Sequence, residues 1–527
     1  MKSLYSNFGA ALLSIQALRA PDAPALTYRG GQQLSYADLD RRVNKVGNAL
    51  LEAGVQPGDR VATLLDSTLS VAENYLAQTK IGSVLCALNP YWSHDTLTQI
   101  VSRIDASVFV YDAKFDDVVG EARAVLPRIE RWIRVGEPQD DGEAIDLVPL
   151  IARAPEDEPP LGAGGDDLLA LFFTSGTTGL PKAVRYTHAS GLAIAQALWR
   201  DVPAWRGASL GTGPIIWGVG FIAVAAPALA AGMRLVLEDS FAPAQALQTI
   251  ANEGITHISV TPSFFTELLS IPGQEEADLS TLRVAMLGGE PLLPSLQRKI
   301  TERLPGLALY GYFGQTEAPY SVIGRRDEGD LPQGVVGWSR SDGAVRVVDQ
   351  NGNPIRNRVG AIQLRGPHVM SGYDGRPDAT AEVLRDGWFM GGDVGSVDDD
   401  DRLTVLGRRS DAIERAGALI MPAQVEEAAA RLEGVGEAGA VGIDTGNGET
   451  RILLVVSPIP GSEPDAVVLH SALRSALPPA AVPDRVVVTD ELPHANDGSG
   501  GRGKLLRRVL AERFGDLVTA EHKNEQV

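Results

Sequence analysis

Up to about Gly334 the chain alternates short apolar runs with helix-length spacers. After Gly58-Asp59-Arg60 the run VATLLD predicts a β-strand, followed by a helical stretch through Ala77. GSVLCALNP, ASVFVYD, LLALFF, GMRLVLED, THISVTP and LRVAMLGG repeat the pattern, most of them closed by Gly, Pro or Asp. Continuous apolar runs of this length suit parallel strands, because helices cover both faces of such a sheet. From Gly334 the texture changes. GVVGW, AVRVVD, GAIQLRG and RLTVLG are shorter, with turn residues between them, and predict antiparallel structure. Near Gly407 it changes again: PAQVEEAAARLEG predicts a helix opened by Pro422, a favoured first-turn residue. EAGAVGI, RILLVVS and DRVVVTD then predict strands flanking a helix at AVVLHSALRSAL, a small α+β unit. The expected boundary lies at the arginine pair Arg408-Arg409, giving domains 1–408 and 409–527.

A chain of 527 residues is too long for one core, which agrees with several domains. Hydrophobic residues make up 44%, as in an ordinary globular protein. The net charge of −20 argues against a nucleic-acid surface, which needs basic patches. It leaves room for a small anion, which needs only local donors. Cys86 is the single cysteine; it excludes an internal disulfide or a cysteine metal cluster and suits a reducing, cytoplasmic location. The N-terminal MKSLYSNFGAALLSIQALRAPDAP predicts a short amphipathic helix and not a signal peptide. FIAVAAPALAAG, with Pro227, is too short to span a bilayer, so no membrane span is expected.

Chemistry enters at FFTSGTTGLPKAV, residues 172–184. Gly176 and Gly179 lack the Cβ that would hold backbone amides away from an oxyanion, and Thr174, Ser175, Thr177 and Thr178 add hydroxyl donors. Lys182 adds a compact positive charge. The spacing does not fit G-x-x-x-x-G-K-[ST], so a Walker-type phosphate loop is not supported.

TSGTTGLPKAV resembles the phosphate-binding signature of the adenylate-forming superfamily, which includes acyl-CoA synthetases, adenylation domains and beetle luciferases. LSYADLDRRVNKVGNAL, GVQPGDRVA, GPIIWGVGF, LGGEPL, YFGQTEA, GAIQLRGPHVMSGY, DGWFMGGDVG, LGRRSD and RGKLLRR follow in the family order, so the likeness covers essentially the whole chain. It implies an α/β fold: a large multi-subdomain N-terminal domain, with helix-flanked parallel sheets and a small β-barrel-like part, and a small mobile α+β C-terminal domain. It also implies an ATP-dependent acid–thiol ligase. A carboxylate attacks the α-phosphorus of ATP, pyrophosphate leaves, and a thiol then displaces AMP. CoA is the expected acceptor; a carrier-protein phosphopantetheine or a non-thiol nucleophile are the alternatives.

The resemblance also implies roles. The loop from Thr174 to Lys182 would grip the β- and γ-phosphates, and Gly289-Glu290-Pro291 would line the adenine site. In the stretch Tyr312, Phe313, Gly314, Gln315, Thr316 and Glu317, the two aromatics would lie by the base. Thr316 would contact the α-phosphate, and Glu317 would offer an oxygen to Mg²⁺. Asp393 would accept from both ribose hydroxyls, with Arg408 reaching the same ribose. Lys504 would bridge carboxylate and α-phosphate oxygens, and Trp217 would gate the passage between acyl pocket and thiol channel. Phe221, Val260, Thr261, Pro262, Met286, Gly288 and Gly311 would shape the acyl pocket. None of them offers the Asp or Lys expected of an amino-acid clamp, which leans toward an aryl, fatty or other non-amino acid. The hinge would fall at Ser410, where relatives carry Asp or Lys. Ala183, Gly392 and Gln424 also depart from the family pattern, as does the long loop from His494 to Gly503 before Lys504. The oligomeric state is not legible.

Overall fold

A computed structural model describes residues 3–518, except 30, 67, 140–141, 175–179, 203–205, 212–214, 216–217, 219, 240–241, 272, 274–276, 328–333, 416, 447–448, 460 and 495–504. Each apolar run predicted as a strand is one. In the first sheet Ile145–Asp146, Arg131–Val135, Val108–Asp112, Arg60–Leu64, Val84–Ala87 and Leu168–Phe173 lie parallel in that order, and Ala183–Thr187 closes the edge antiparallel. In the second, Pro24–Tyr28, Arg234–Leu237, Ala208–Gly211, His257–Val260, Val284–Gly288 and Ala308–Gln315 are parallel neighbours. The antiparallel strands predicted after Gly334 do not form a detached sheet. They run on from Ala308–Gln315 through Ala318–Arg325 and Val335–Ser339 to Leu403–Arg408, Asp393–Val397, Gly360–Arg365 and Ala344–Val348.

One apolar cluster joins the two sheets: Val61 and Leu85 from the first, Leu235 and Met286 from the second, and helices between. Helix Tyr36–Glu52 starts at a capping box made by Ser35 and Asp38 and buries Leu39, Val43, Val46 and Leu50 along one stripe. Helix Thr68–Ile81 is buried nearly all round, so its Lys80 must be compensated internally. The Lys80 ammonium donates to Asp40 at 2.7 Å, Asn44 at 2.7 Å and Glu158 at 3.1 Å. At the N-terminus the single predicted helix is two short ones, Phe8–Leu12 and Ser14–Arg19, and Phe8 and Leu12 are core residues.

After Arg408 the chain makes a hairpin, Ile413–Arg415 with Ala418–Ile420, then helix Pro422–Ala430 with its proline at the first turn. Strand Thr450–Pro458 is flanked by antiparallel Val435–Asp444 and parallel Arg485–Val488, with helices Ala466–Ala476 and Arg507–Phe514 beside them. Val425, Ile452, Leu454 and Leu473 pack in a cluster separate from the large one. Among the described residues no helix is long and apolar enough to cross a membrane.

His368 makes the fold sensitive to acid. It is 1% exposed, and its Nε2 lies 2.9 Å from the Ser321 hydroxyl. Burial, helped by the positive charge of Arg340 and opposed by Asp342, pushes its pKa from 6.5 to about 3. Below about pH 6.5 the unfolded chain takes up a proton that the folded chain refuses, so stability falls as pH drops toward 3. His368→Gln is expected to flatten the pH dependence of the denaturation midpoint between roughly pH 6.5 and 4. An unchanged acid slope would rule His368 out as its source.

Candidate active site

The glycine- and threonine-rich turn hangs from an antiparallel pair, Leu168–Phe173 and Ala183–Thr187. Its neck is closed by Thr174, whose amide donates to the Lys182 carbonyl at 3.1 Å, and by the Lys182 amide, which donates to the Thr174 hydroxyl at 3.3 Å. Ser175, Gly176, Thr177, Thr178 and Gly179 lie outside the described residues. The Lys182 ammonium stands 4.8 Å from the centroid of the Tyr373 ring, a cation–π contact. Tyr373 arrives there because residues 371–374 lie along the strand edge: the Arg185 amide donates to Gly372 at 2.9 Å, and the Asp374 amide to Ala183 at 2.8 Å. The Tyr373 hydroxyl in turn donates to Glu317 Oε1 at 2.7 Å. Burial and the neighbouring carboxylate raise the Tyr373 pKa far above its ordinary value, so it remains a donor. The neighbouring Tyr186 hydroxyl donates to the Thr316 carbonyl, fixing the backbone beside Glu317.

A second set of contacts continues from Glu317 back along the same segment. The Gln315 side-chain amide donates to Asp393, which is 6% exposed, and the Arg408 guanidinium holds the other Asp393 oxygen at 3.1 Å. Asp393 and Arg408 face each other in register on neighbouring antiparallel strands. Two glycines make this possible. A Cβ on Gly391 would lie 2.2–2.6 Å from the Gln315 amide and would push it from its place beside Asp393. Gly392 has φ of +88°, a conformation that would strain any residue with a Cβ. Lys182, Glu317, Gln315, Thr316, Asp393 and Arg408, drawn from three distant parts of the sequence, therefore belong to one connected site.

Other expected residues are placed differently. Phe313 and Tyr312 are consecutive on a strand, so they point to opposite faces, and only one can lie by a base. Tyr312 goes to the face of Gly288, where a Cβ would meet its ring at 2.4–2.6 Å. Glu290 is committed to a helix start: its carboxylate accepts from the Ser263 amide at 3.1 Å and the Ser263 hydroxyl at 3.0 Å. Burial raises its pKa. Gly289 supports this turn with φ of +82°, and Pro291 follows. Thr261, expected in the acyl pocket, caps the same helix by accepting from the Phe264 amide. Phe221, at 1% exposure, stacks edge-on to Tyr75 at 5.3 Å, and Met286 is fully buried; both are core. Trp217 and Lys504 lie outside the described residues.

Ser410 occupies a single helical turn, Arg409–Asp411, and the Arg409 amide donates to the Gly392 carbonyl at 2.8 Å, so the connector starts at the Asp393 turn. Three residues after Lys504, Arg507 donates to both oxygens of Glu426 at 2.7 and 2.9 Å. Glu426 also accepts from the Ala440 amide at 2.9 Å, so Arg507, at the start of helix Arg507–Phe514, is fastened to helix Pro422–Ala430 and strand Val435–Asp444. Tyr373 and Glu426 are the structural residues that sequence reading undervalued. Tyr373 stands at the end of GPHVMSGY, where the aromatic carries no signal of its own, and Glu426 follows two residues after Gln424 in an ordinary helical pattern.

Among the described residues no three His, Cys, Asp or Glu cluster to hold a metal. Glu317 offers a carboxylate, 9% exposed, with Oε1 taken by Tyr373. That donor set fits an ion such as Mg²⁺, which keeps several waters and takes further oxygens from phosphates.

Two substitutions test this geometry. Gly391→Ala is expected to separate Gln315 from Asp393 and to weaken nucleotide binding by about tenfold, roughly 1.4 kcal/mol, in calorimetric titration. Glu426→Ala leaves Arg507 without its main partner and is expected to cost about 1–3 kcal/mol, seen as an earlier denaturation of the small C-terminal unit. Unaltered binding in the first variant, or an unaltered midpoint in the second, would refute the corresponding contact.

The chain matches the model of the family described as "AMP-binding enzyme" over residues 13–374, and "AMP-binding enzyme C-terminal domain" over residues 424–499. A feruloyl-CoA synthase from Amycolatopsis sp is 34% identical over 511 residues, covering 95% of this chain and 98% of the relative. A fatty acid–[acyl-carrier-protein] ligase, ScoC, from Streptomyces coeruleorubidus is 31% identical over 521 residues, covering 95% of each. The ATP-bound crystal structure of MatB from Rhodopseudomonas palustris superposes with a TM-score of 0.86 at 26% identity, covering 97% of this chain and 99% of MatB. With a family match over most of its length and a one-third-identical relative along nearly all of it, the chain belongs to the AMP-binding enzymes, on the acyl-CoA synthetase-like side of the adenylate-forming superfamily.

Proposed function

We propose that this enzyme transfers the AMP moiety of ATP to a non-amino carboxylic acid, releasing pyrophosphate, and passes the acyl group of the resulting acyl-adenylate to the thiol of CoA, releasing AMP. Acid activation followed by thiol transfer is the chemistry of its family. The observation that carries the assignment is the unbroken path Lys182–Tyr373–Glu317, with Gln315, Asp393 and Arg408 on the same segment and its neighbours. Such a path is what a triphosphate nucleotide needs. Cation and hydroxyl donors serve the phosphates at one end, and a buried carboxylate with two oxygens serves a vicinal diol at the other.

In this reading Lys182 and the turn before it neutralise the outer phosphates, and Thr316 lies at the α-phosphate. Phe313 stacks on the base beside Gly289 and Pro291, while Glu290 shapes that wall by holding the helix start. Asp393 takes the ribose hydroxyls with Arg408 and Gln315 orienting it. Mg²⁺, when bound, neutralises phosphate charge, and Glu317 would hold it, oriented by Tyr373. Lys504 supplies a positive charge to the carboxylate and α-phosphate oxygens as the new bond forms, and Trp217 stands between acyl pocket and thiol channel. The large domain is 1–408 and the small one 409–527, turning at Ser410 between the two half-reactions. The fully buried Cys86 suits the reducing cytoplasm, where CoA is available.

A second acceptor has specific support: the relative ScoC is named a ligase for an acyl-carrier protein. Acid-dependent exchange of labelled pyrophosphate into ATP, followed by mass measurement of the product with CoA or with a pantetheinylated carrier protein, separates the two acceptors. Acids that release no AMP under any condition would refute the activation step. Lys504→Ala is expected to slow pyrophosphate release 10²–10³-fold, about 3–4 kcal/mol, while ATP binding persists. Equal rates in variant and parent would remove Lys504 from the reaction.

A further inference from the structure

The Tyr373 ring and hydroxyl meet Lys182 and Glu317 only while the segment that carries them is held against the first sheet. Part of that hold is backbone. Tyr373 forms an antiparallel bridge with Val184, and its amide donates to the Thr380 hydroxyl at 2.9 Å. With the bonds that Gly372 and Asp374 make to Arg185 and Ala183, this fixes where the segment runs along the edge strand. A segment joined to a sheet by so few bonds keeps freedom to twist.

The next side chain removes that freedom. Asp374 is 6% exposed, and Arg60 meets it with both arms of its guanidinium, Nη1 to Oδ2 at 2.8 Å and Nη2 to Oδ1 at 3.0 Å. A two-bonded fork fixes direction as well as distance. Arg60 is itself anchored. It opens the strand Arg60–Leu64, which lies between Val84–Ala87 and Val108–Asp112, and its Nη1 also donates to the Ile104 carbonyl at 2.5 Å. Arg185, with Nε 3.9 Å from Asp374 Oδ1, adds positive charge without replacing the fork.

An exposed ion pair would need no further account. A buried carboxylate does, because its desolvation is costly unless a fixed cation meets it. Asp374 is peptide-bonded to Tyr373, and that is where the pair acquires a consequence. Lys182 is exposed on a flexible stem, and the Tyr373 ring steadies its ammonium. A twist of the segment would move ring and hydroxyl together, shifting the cation and the Glu317 contact at once. Asp393 and Arg408 face each other on other strands and would not follow.

We infer that the Arg60–Asp374 pair is a positioning element for the phosphate end of the nucleotide site, acting through Tyr373 on Lys182 and Glu317, so that it governs affinity for the triphosphate and leaves affinity for AMP alone. The inference rests on the nucleotide reading above and deepens it. Titration calorimetry of the full-length enzyme with Mg²⁺ and either ATP or AMP tests it. Asp374→Asn keeps the shape of the side chain and removes its charge, while the partly exposed Arg60 stays hydrated. It is expected to weaken ATP binding about tenfold, the order found for groups that orient a ligand's direct partner, and to change AMP binding by less than about twofold. Arg60→Lys, which keeps the charge and loses the fork, is expected to fall between the parent and Asp374→Asn. In a Tyr373→Ala background, with no ring or hydroxyl left to place, Asp374→Asn is expected to change ATP affinity by less than about twofold. Equal losses for ATP and AMP, full ATP affinity in Asp374→Asn, or additive losses in the double variant overturn the inference and leave the nucleotide site standing. Loss of cooperative unfolding in both Asp374→Asn and Arg60→Lys overturns it too, since the pair then serves stability alone. A parent enzyme that binds neither nucleotide removes both readings.

Discussion

The structure turns on one buried carboxylate. Asp393 is nearly inaccessible, yet it stands where the antiparallel strands, the segment leaving the parallel sheet and the connector to the small unit all meet. A charge in that position needs compensation, and it receives two charge-assisted or amide contacts, from Arg408 and Gln315. Each partner belongs to a different structural duty. Gln315 ends the strand that carries Thr316 and Glu317, and Arg408 ends the strand from which the chain departs at Ser410. Anything that binds Asp393 therefore also bears on the position of Glu317 and on the start of the connector. Asp393 is thereby the junction between the large sheet and the connector.

Tyr373 plays the corresponding part at the other end. Its ring carries the Lys182 ammonium and its hydroxyl fixes Glu317, so the cation and the carboxylate are held at a set separation by one rigid side chain. Two flexible side chains of opposite charge would otherwise collapse into a direct ion pair and cancel. An aromatic spacer keeps both available to a ligand.

Much of this was legible in the sequence. The strands were, because apolar runs closed by Gly, Pro or Asp have few alternatives in a chain of this composition, and Pro422 marked its helix as expected. Gln315, Asp393 and Arg408 were recognisable from ordered motifs. What stayed hidden was direction. A motif names its residues but not the face each one takes, and strand alternation sends Tyr312 away from Phe313 although the two are adjacent. Glu290 and Thr261 were hidden for another reason. Their side chains satisfy backbone amides at the start of helix Pro262–Ser270, a local debt invisible without the fold. Phe221 and Met286, assigned to the acyl pocket by resemblance, are buried in the cluster that joins the two sheets, a placement set by hydrophobicity and register that a motif does not carry.

The alternation at residues 312 and 313 also gives one strand two distinct faces. Successive side chains diverge by a half-turn, so a single peptide unit separates the face of Phe313 from the face turned to Gly288 and Ser259. The two faces end together beyond Gln315, where the strand stops and Thr316 and Glu317 follow. Gly314 makes that ending possible: a Cβ there would stand 2.7 Å from the Ala318 carbonyl and the Tyr320 amide. Its absence allows the strand to fold back tightly into Ala318–Arg325, which brings Tyr320 against Tyr312. The turn that positions Thr316 and Glu317 is thus the turn that packs Tyr320 on Tyr312, and a side chain at position 314 would disturb both together.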